Sequence, residues 1–341
     1  MNGQTQRLRH SSDSELGYTR RRQGRSWAYY DEHGKRVTDR AEIDRLNAIA
    51  LPPAYTDAWF CKDGNGHLQA TGRDARGRKQ YRYHPRYRSK RDASKYDGCL
   101  EFGQVLPRLR AKVERDLRKR ELGRDTVLAA VVRLLDREHI RVGNEEYAQA
   151  NKSFGATTLR NRHVKRAGGK LKMRFPGKSG VVHEVTVTDR NLKRVVRKAQ
   201  ELPGQMLFQY VNGDGNPQAI TSGDVNDYIR DATGGEFTAK HFRTWGASVI
   251  FLKQMLAKAE EKRLSIKTAL EPVAEALGNT PAISRKSYVH PALVDVLQED
   301  ARDPLHGFVP PPPRRRLSSA ETAFLAFLKK MKPRARRKAG T

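Results

Sequence analysis

Cysteine is nearly absent from this chain: its 341 residues include two, Cys61 and Cys99. Two thiols so placed make neither a zinc-ligand spacing nor a disulfide framework, which suits a reducing interior. Long apolar runs are missing as well. No stretch reaches the roughly 18 apolar residues that a membrane-crossing helix needs, and residues 1–20 are polar and mixed in charge rather than built like a signal peptide. GxxxxGK[ST], GxSxG, the DxDxDG calcium loop and internal repeats are all absent. Acidic residues are scattered, with no compact carboxylate cluster for two divalent metals. These absences disfavour nucleotide-driven, serine-hydrolase, zinc and two-metal nuclease chemistry, so no cofactor and no metal are expected. The chain reads as a soluble intracellular protein with no membrane partner.

What the sequence has is positive charge. Lys and Arg number 67 against 38 Asp and Glu, a formal net charge of +29. Such a chain repels itself unless an anion absorbs the charge, and nucleic acid is the natural partner. The length points to two domains.

Residues 1–24, rich in Arg, Ser and Gly, read as a flexible basic arm. Short aromatic runs follow, with His33-Gly34 at a hairpin tip, a short helix in DRAEIDRLNAIALPP stopped by Pro52 and Pro53, and strands in AWFCKDGNGHLQATGRDARGRKQYRYH. Residues 25–90 are therefore expected to form a small, β-rich basic domain, which the resemblance described below makes a DNA-binding domain, and 91–100 a linker. From 101 to 309 helical spacing dominates. DTVLAAVVRLLDREHIRVG should be a helix with Asp125 as N-cap and Gly143 as its stop. A period of two between about 157 and 188 marks a small sheet. TSGDVNDYIRDATG carries a Thr221–Asp224 capping box, and Pro272 should bend or restart the last long helix. Residues 310–341 read as a proline-rich spacer, an apolar helix-prone patch and a solvated basic tail. The fold class is α+β: a small β-rich N-terminal domain joined to a larger, mainly α-helical catalytic domain containing a small β-sheet.

Several basic residues stand at junctions where chemistry is possible. Arg141 follows a helix, Lys178 occupies the FPGKSG hairpin tip, and Arg243 lies on a helix between Phe242 and Trp245. Two guanidinium forks can hold the nonbridging oxygens of one phosphodiester and stabilise the added charge of a pentacoordinate transition state. Tyr288, in GNTPAISRKSYVHP, can then attack phosphorus, with nearby cations favouring its phenolate. A lysine ammonium on a movable turn can protonate the leaving sugar hydroxyl. Asn279 can donate an uncharged hydrogen bond to a phosphoryl oxygen. Each residue also has a plainer reading: Arg141 and Arg243 as caps or ion pairs, Lys178 as a solvated turn, Asn279 as a helix end, and Tyr288 as a packed ring.

RVGNEEYAQANKSFGATTLRNRHV resembles the signature of the type IB DNA topoisomerases, close to the bacterial branch that is similar to the poxvirus enzymes. The likeness runs from about residue 25 to 305, and FPGKSG, TAKHFRTWGAS and GNTPAISRKSYVHP follow in the family's order. In that family an Arg, a Lys, a second Arg, usually a His, and a Tyr form the active site. The resemblance carries these roles to Arg141, Lys178, Arg243 and the nucleophile Tyr288. Where many relatives have His, this chain has Asn279, which keeps a hydrogen bond but supplies no positive charge. It implies a monomer that clamps double-stranded DNA between two domains and forms a 3′-phosphotyrosyl intermediate. Rotation of the free strand then relaxes supercoils of either sign without ATP or metal. Its expected location is the cytoplasm, on the nucleoid.

A segment resembling GRKQYRYHPR reads the major groove in poxvirus-like members. That makes Lys79, Gln80, Tyr81, Arg82 and Tyr83 DNA-contact candidates, although Tyr81 and Tyr83 share a strand face and can equally pack into a core. Arg160, Arg162 and His163 touch phosphate or brace the strand leading to Lys178. A tyrosine recombinase is disfavoured by the β-rich N-terminal segment and by TAKHFRTWGAS. A noncatalytic DNA-binding or architectural descendant is left open by Asn279, and the other four retained residues argue against it.

Overall fold

The computed structural model describes residues 7–94, 96–167, 170–257, 264–300 and 305–331. The chain divides into two compact units, Met1–Asp97 and Gly98–Thr341. In the smaller unit, β1 (Thr19–Gln23) and β2 (Ser26–Tyr30) form an antiparallel hairpin. After α1 (Arg40–Ala48), strands β3 (Thr56–Phe60), β4 (Leu68–Arg73) and β5 (Lys79–Tyr83) form an antiparallel sheet in that order, and α2 (Pro85–Ser94) follows. The apolar faces meet in a small core of Tyr29, Leu46, Leu51, Phe60 and Ala70. Arg20 ties this core to the turn after α1: its guanidinium donates to the Leu51 and Pro52 carbonyls at 2.8 and 2.6 Å and stacks 4.1 Å from the Trp27 ring.

Asp39 caps α1, and the helix ends before Pro52-Pro53 as its sequence predicts. The His33-Gly34 turn is also present, with Gly34 left-handed and the Asp31 carboxylate accepting from the His33 and Lys35 N–H groups. The expected loose arm is not found over its described part. From Arg9 onward the segment is held by a bridge to Gly66, by a buried Ser11 whose hydroxyl donates to the Leu68 carbonyl at 3.0 Å, and by β1 itself. Composition conceals this because the polar side chains here bond to backbone rather than filling a core. The first six residues of the arm lie outside the described residues.

The larger unit begins with α3 (Cys99–Arg118), which continues through Pro107, and α4 (Arg124–Glu138), buried at every position from Thr126 to Leu135. Next come α5 (Glu145–Asn151), the antiparallel sheet β6 (Val164–Ala167), β7 (Lys170–Pro176), β8 (Val182–Val187), and α6 (Arg190–Glu201). A hairpin of β9 (Gln209–Val211) and β10 (Pro217–Ala219) leads to α7 (Ser222–Thr233), α8 (Ala239–Ala257), α9 (Ile266–Leu277), α10 (Pro281–Ser287), α11 (Pro291–Glu299) and α12 (Ser319–Met331). The sheet expected between 157 and 188 is present, and the Thr221–Asp224 capping box starts α7. The α+β class stands.

Two local expectations give way, both on α4. Helix α4 is capped by Gly123, with Asp125 inside its first turn, where a carboxylate still interacts favourably with the helix dipole. It ends at Glu138 because His139 turns left-handed at φ 50°, four residues before Gly143. Of the bend or restart expected at Pro272, the restart does not occur: α9 is one helix through that residue. The apolar, helix-prone patch after the proline run is indeed a helix, and it joins the core: Phe324, Leu325, Phe327 and Leu328 of α12 are buried with α3, α4 and α8. The basic end from Lys332 lies outside the described residues. Phe324→Ala should therefore cost about 3–5 kcal/mol in denaturant unfolding, as for other core aromatics. A loss below about 0.5 kcal/mol, the size of a surface substitution, would return the segment to a solvated tail.

Candidate active site

Four separate stretches of the larger unit bring Arg141, Lys178, Arg243, Asn279 and Tyr288 together. Arg141 lies in the loop after α4, and that loop is fixed by backbone bonds from Ala156 to its carbonyl (2.8 Å) and from Thr157 to Val142 (2.7 Å). Arg243 sits in the first half of α8 and is 4% exposed. Its guanidinium donates to the Leu277 carbonyl at 3.0 Å and to the His139 carbonyl, and lies 4.7 Å from the centre of the Tyr288 ring. Among the described residues no ion pair includes Arg243.

Asn279 follows Gly278, which is left-handed at φ 59° and closes α9, so Asn279 does end that helix. It also does more: its Oδ1 accepts from Arg141 Nη2 at 3.0 Å, which leaves Nδ2 as a free donor. Tyr288 is the C-cap of α10, a short helix started by Thr280 and Pro281. The ring is half-buried against the core while Val289 behind it is fully buried. His290 donates its N–H to Ser248 Oγ on α8 at 2.9 Å, so the helix that carries Arg243 also holds the chain just after the tyrosine. Lys178 is exposed at the β7–β8 tip, where Ser179 and Gly180 both have positive φ.

Two cavities of about 380 and 650 Å³ meet here, and Arg141, Lys178 and Tyr288 line both. Arg141 Nη1, Arg243 Nε and Asn279 Nδ2 are buried with no hydrogen-bond partner among the described residues. Buried donors are nearly always paired, so these three, gathered around a tyrosine and cationic in two cases, are open to an acceptor in the cavities. Burial alone would raise the Tyr288 phenol, but Arg243, Arg141 and Lys178 outweigh it and hold the pKa below the usual tyrosine value. Burial brings Arg243 down to about 10, so it stays charged at neutral pH. Arg285 and Lys286, beside Tyr288 in sequence, are exposed and line neither cavity.

The other candidates separate into two groups. Arg160 is taken by Glu145 and Met206. His163 is buried against Phe154 and accepts from the Arg160 N–H at 3.1 Å, and burial, then Arg162 and Arg160, lower its pKa to about 4. Both therefore brace the start of the sheet, while Arg162 remains exposed. In the smaller unit Tyr81 and Tyr83 do share a face of β5, stacked at 6.2 Å, and that face is open: they are 49% and 39% exposed. Lys79 pairs with Asp13, Gln80 bonds Asp74 at 3.0 Å, and Arg82 is partly buried.

Sequence reading overlooked His183. Its imidazole fills the gap between the glycine before Lys178 and the glycine before Asn279: a Cβ on Gly177 or Gly278 would come within 2.5 or 2.6 Å of it. The available signal was a histidine on the same strand face as Val185 and Val187. Among the described residues no group of three or more His, Cys, Asp or Glu could hold a metal ion, and no helix is long and apolar enough to cross a membrane.

Comparison with known proteins gives this geometry its class. The model of the eukaryotic DNA topoisomerase I catalytic core matches residues 84–303, and that of the bacterial DNA topoisomerase IB N-terminal domain matches residues 26–74. DNA topoisomerase 1B of Acanthamoeba polyphaga mimivirus is 32% identical over 284 residues, covering 80% of this chain and 84% of the viral one. The vaccinia virus (strain Western Reserve) DNA topoisomerase 1B is 23% identical over 277 residues, covering 76% and 83%. DNA topoisomerase 1 of Drosophila melanogaster is 27% identical over 204 residues, 55% of this chain and 20% of the fly protein. The chain belongs to the type IB DNA topoisomerase family. It is accordingly an enzyme that acts on DNA.

The electrostatics can be checked by difference titration of ultraviolet phenolate absorbance between the protein and Tyr288→Phe. The Tyr288 signal should appear below the ordinary tyrosine pKa of about 10 and move upward in Arg243→Gln. A signal at or above that value in the unaltered protein would contradict the assigned cation field.

Proposed function

We propose that this enzyme relaxes positive and negative DNA supercoils by cutting one strand through Tyr288. The phenolic oxygen attacks phosphorus, the bond from phosphorus to the 5′ oxygen breaks, and a 3′-phosphotyrosyl link forms. The phenolic proton passes to water, and the 5′ oxygen takes a proton from Lys178, which its exposed, positive-φ turn leaves free to approach. Arg141 and Arg243 bind the nonbridging oxygens and stabilise the charge gained in the transition state, with Asn279 Nδ2 as a third, neutral donor. The 5′-hydroxyl strand rotates, then attacks the phosphotyrosine to restore both the backbone and the tyrosine. The link conserves the energy of the broken bond, so the cycle balances without ATP or metal.

The observation that carries this reading is the convergence of three unpaired buried donors on one half-buried tyrosine. Family membership supports the rest: one copy of the chain encircling duplex DNA, exposed Tyr81 and Tyr83 together with Lys79, Gln80, Arg82 and Arg162 contributing DNA contacts, and the nucleoid of a bacterial cytoplasm as working location.

The test is relaxation of positively and negatively supercoiled plasmid with EDTA present and ATP absent. Both signs should relax, and Tyr288→Phe should abolish relaxation while still binding DNA. Arg243→Ala should slow single-turnover cleavage by about 10²–10³-fold, the scale seen when a transition-state donor is lost. DNA binding without relaxation or a covalent adduct in the unaltered protein would leave a noncatalytic DNA-binding protein instead.

A further inference from the structure

Glu321 lies on α12, beyond residue 303 where the catalytic-core match ends. It is 8% exposed and gathers donors from three directions. Arg110 of α3 reaches its two oxygens at 2.7 and 3.0 Å, Trp245 Nε1 of α8 donates at 3.0 Å, and the Ser318 N–H donates at 2.8 Å. Arg110 also forks onto Asp136 of α4 at 2.9 and 2.8 Å. One carboxylate from the C-terminal helix thereby joins α3, α4 and α8.

Two of those helices deliver the site. Helix α4 runs from Asp136 into His139 and Arg141, and α8 carries Arg243 two residues before Trp245. The contacts between them leave no slack. A Cβ on Gly103 of α3 would stand 2.2 Å from the Trp245 ring, and one on Gly246 would stand 2.3 Å from the His139 ring. His139 in turn offers Arg243 its carbonyl. Phe324, on the same helix as Glu321, packs 5.1 Å from Trp245 and 6.1 Å from His290, the second residue after Tyr288.

We propose that Glu321 is a positioning residue: by holding Trp245 and Arg110 it fixes α8 against α4 and keeps Arg243 seated beneath Tyr288. Neither Glu321 nor Trp245 touches the reacting atoms. Helix α12 is then a brace added to the catalytic core from outside its matched region. This inference rests on the reading of Tyr288 as nucleophile and Arg243 as phosphate ligand.

The experiment is single-turnover cleavage by the full chain at saturating duplex, with the rate constant and the fraction cleaved recorded separately. Glu321→Gln should slow cleavage by about 10–10²-fold, the scale on which misplaced catalytic groups cost rate, with the fraction cleaved and the DNA affinity unchanged. Glu321→Gln weakens the pairing with Arg110, whereas Trp245→Phe removes the hydrogen bond from α8 to Glu321 while keeping an aromatic ring; it should give a similar loss, with the double variant no slower than the slower single. Placed in Arg243→Ala, Glu321→Gln should add nothing. A lower fraction cleaved at an unchanged rate would mean a merely structural role and overturn the proposal, as would equal fold-losses with and without Arg243. Tyr288→Phe run alongside separates the two readings: an adduct surviving in that variant overturns the nucleophile and with it the brace, whereas an adduct lost there with cleavage unslowed in Glu321→Gln overturns the brace alone.

Discussion

Arg243 is a buried cation with no carboxylate partner among the described residues, and the ends of two helices and the ring of Tyr288 close around it. Removing a guanidinium from water costs several kcal/mol unless its charge and donors are met. Here the His139 and Leu277 carbonyls, at the ends of α4 and α9, take two of the donors, and the Tyr288 ring covers the face. Both carbonyls lie at helix ends, where backbone oxygens lack intrahelical partners and carry partial negative charge. Among the described residues no acidic side chain balances the charge, which is therefore open to an anionic acceptor. In the proposed reaction that acceptor is a phosphodiester.

The same constraint explains the rest of the site. Helix α4 stops at a left-handed His139, so its last carbonyl region turns toward Arg243 while Arg141 emerges two residues later. Helix α9 stops at Gly278, which presents Asn279 to Arg141 and leaves room for His183 behind it. Asn279 spends its oxygen on Arg141, and its amide nitrogen has no partner among the described residues. A histidine at this position would add charge to a cluster that already holds three cations beside a phenol, whereas an amide donates without that repulsion. Sites that keep buried donors unpaired store instability locally, and the surrounding core has to over-determine them. Buried α4 and the Glu321–Arg110–Asp136 network supply that rigidity.

The four charged or nucleophilic residues were legible because each lies in a short motif whose order resembles the family's, and the strand and capping patterns placed Lys178 and α7 correctly. Boundaries were less legible. Asp125 looks like a cap and Gly143 like a stop, but backbone geometry ended α4 at a non-glycine residue, which composition does not announce. Tyr81 and Tyr83 alternate as any strand would, and periodicity alone cannot say which face meets solvent. Glu321 and Ser248 were invisible because their partners are remote in sequence: Arg110 lies on α3 and His290 two residues past the tyrosine. The cations that act on Tyr288 are likewise distant ones, while its sequence neighbours Arg285 and Lys286 face outward. Long-range partners appear only once the chain is folded.

The most direct measurement of the central claim is peptide mapping by mass spectrometry of the covalent protein–DNA adduct, trapped with denaturant during turnover. A nucleotide joined through its 3′ phosphate to Tyr288, within the GNTPAISRKSYVHP segment, is the result required. Attachment at any other residue, or through a 5′ phosphate, would contradict it.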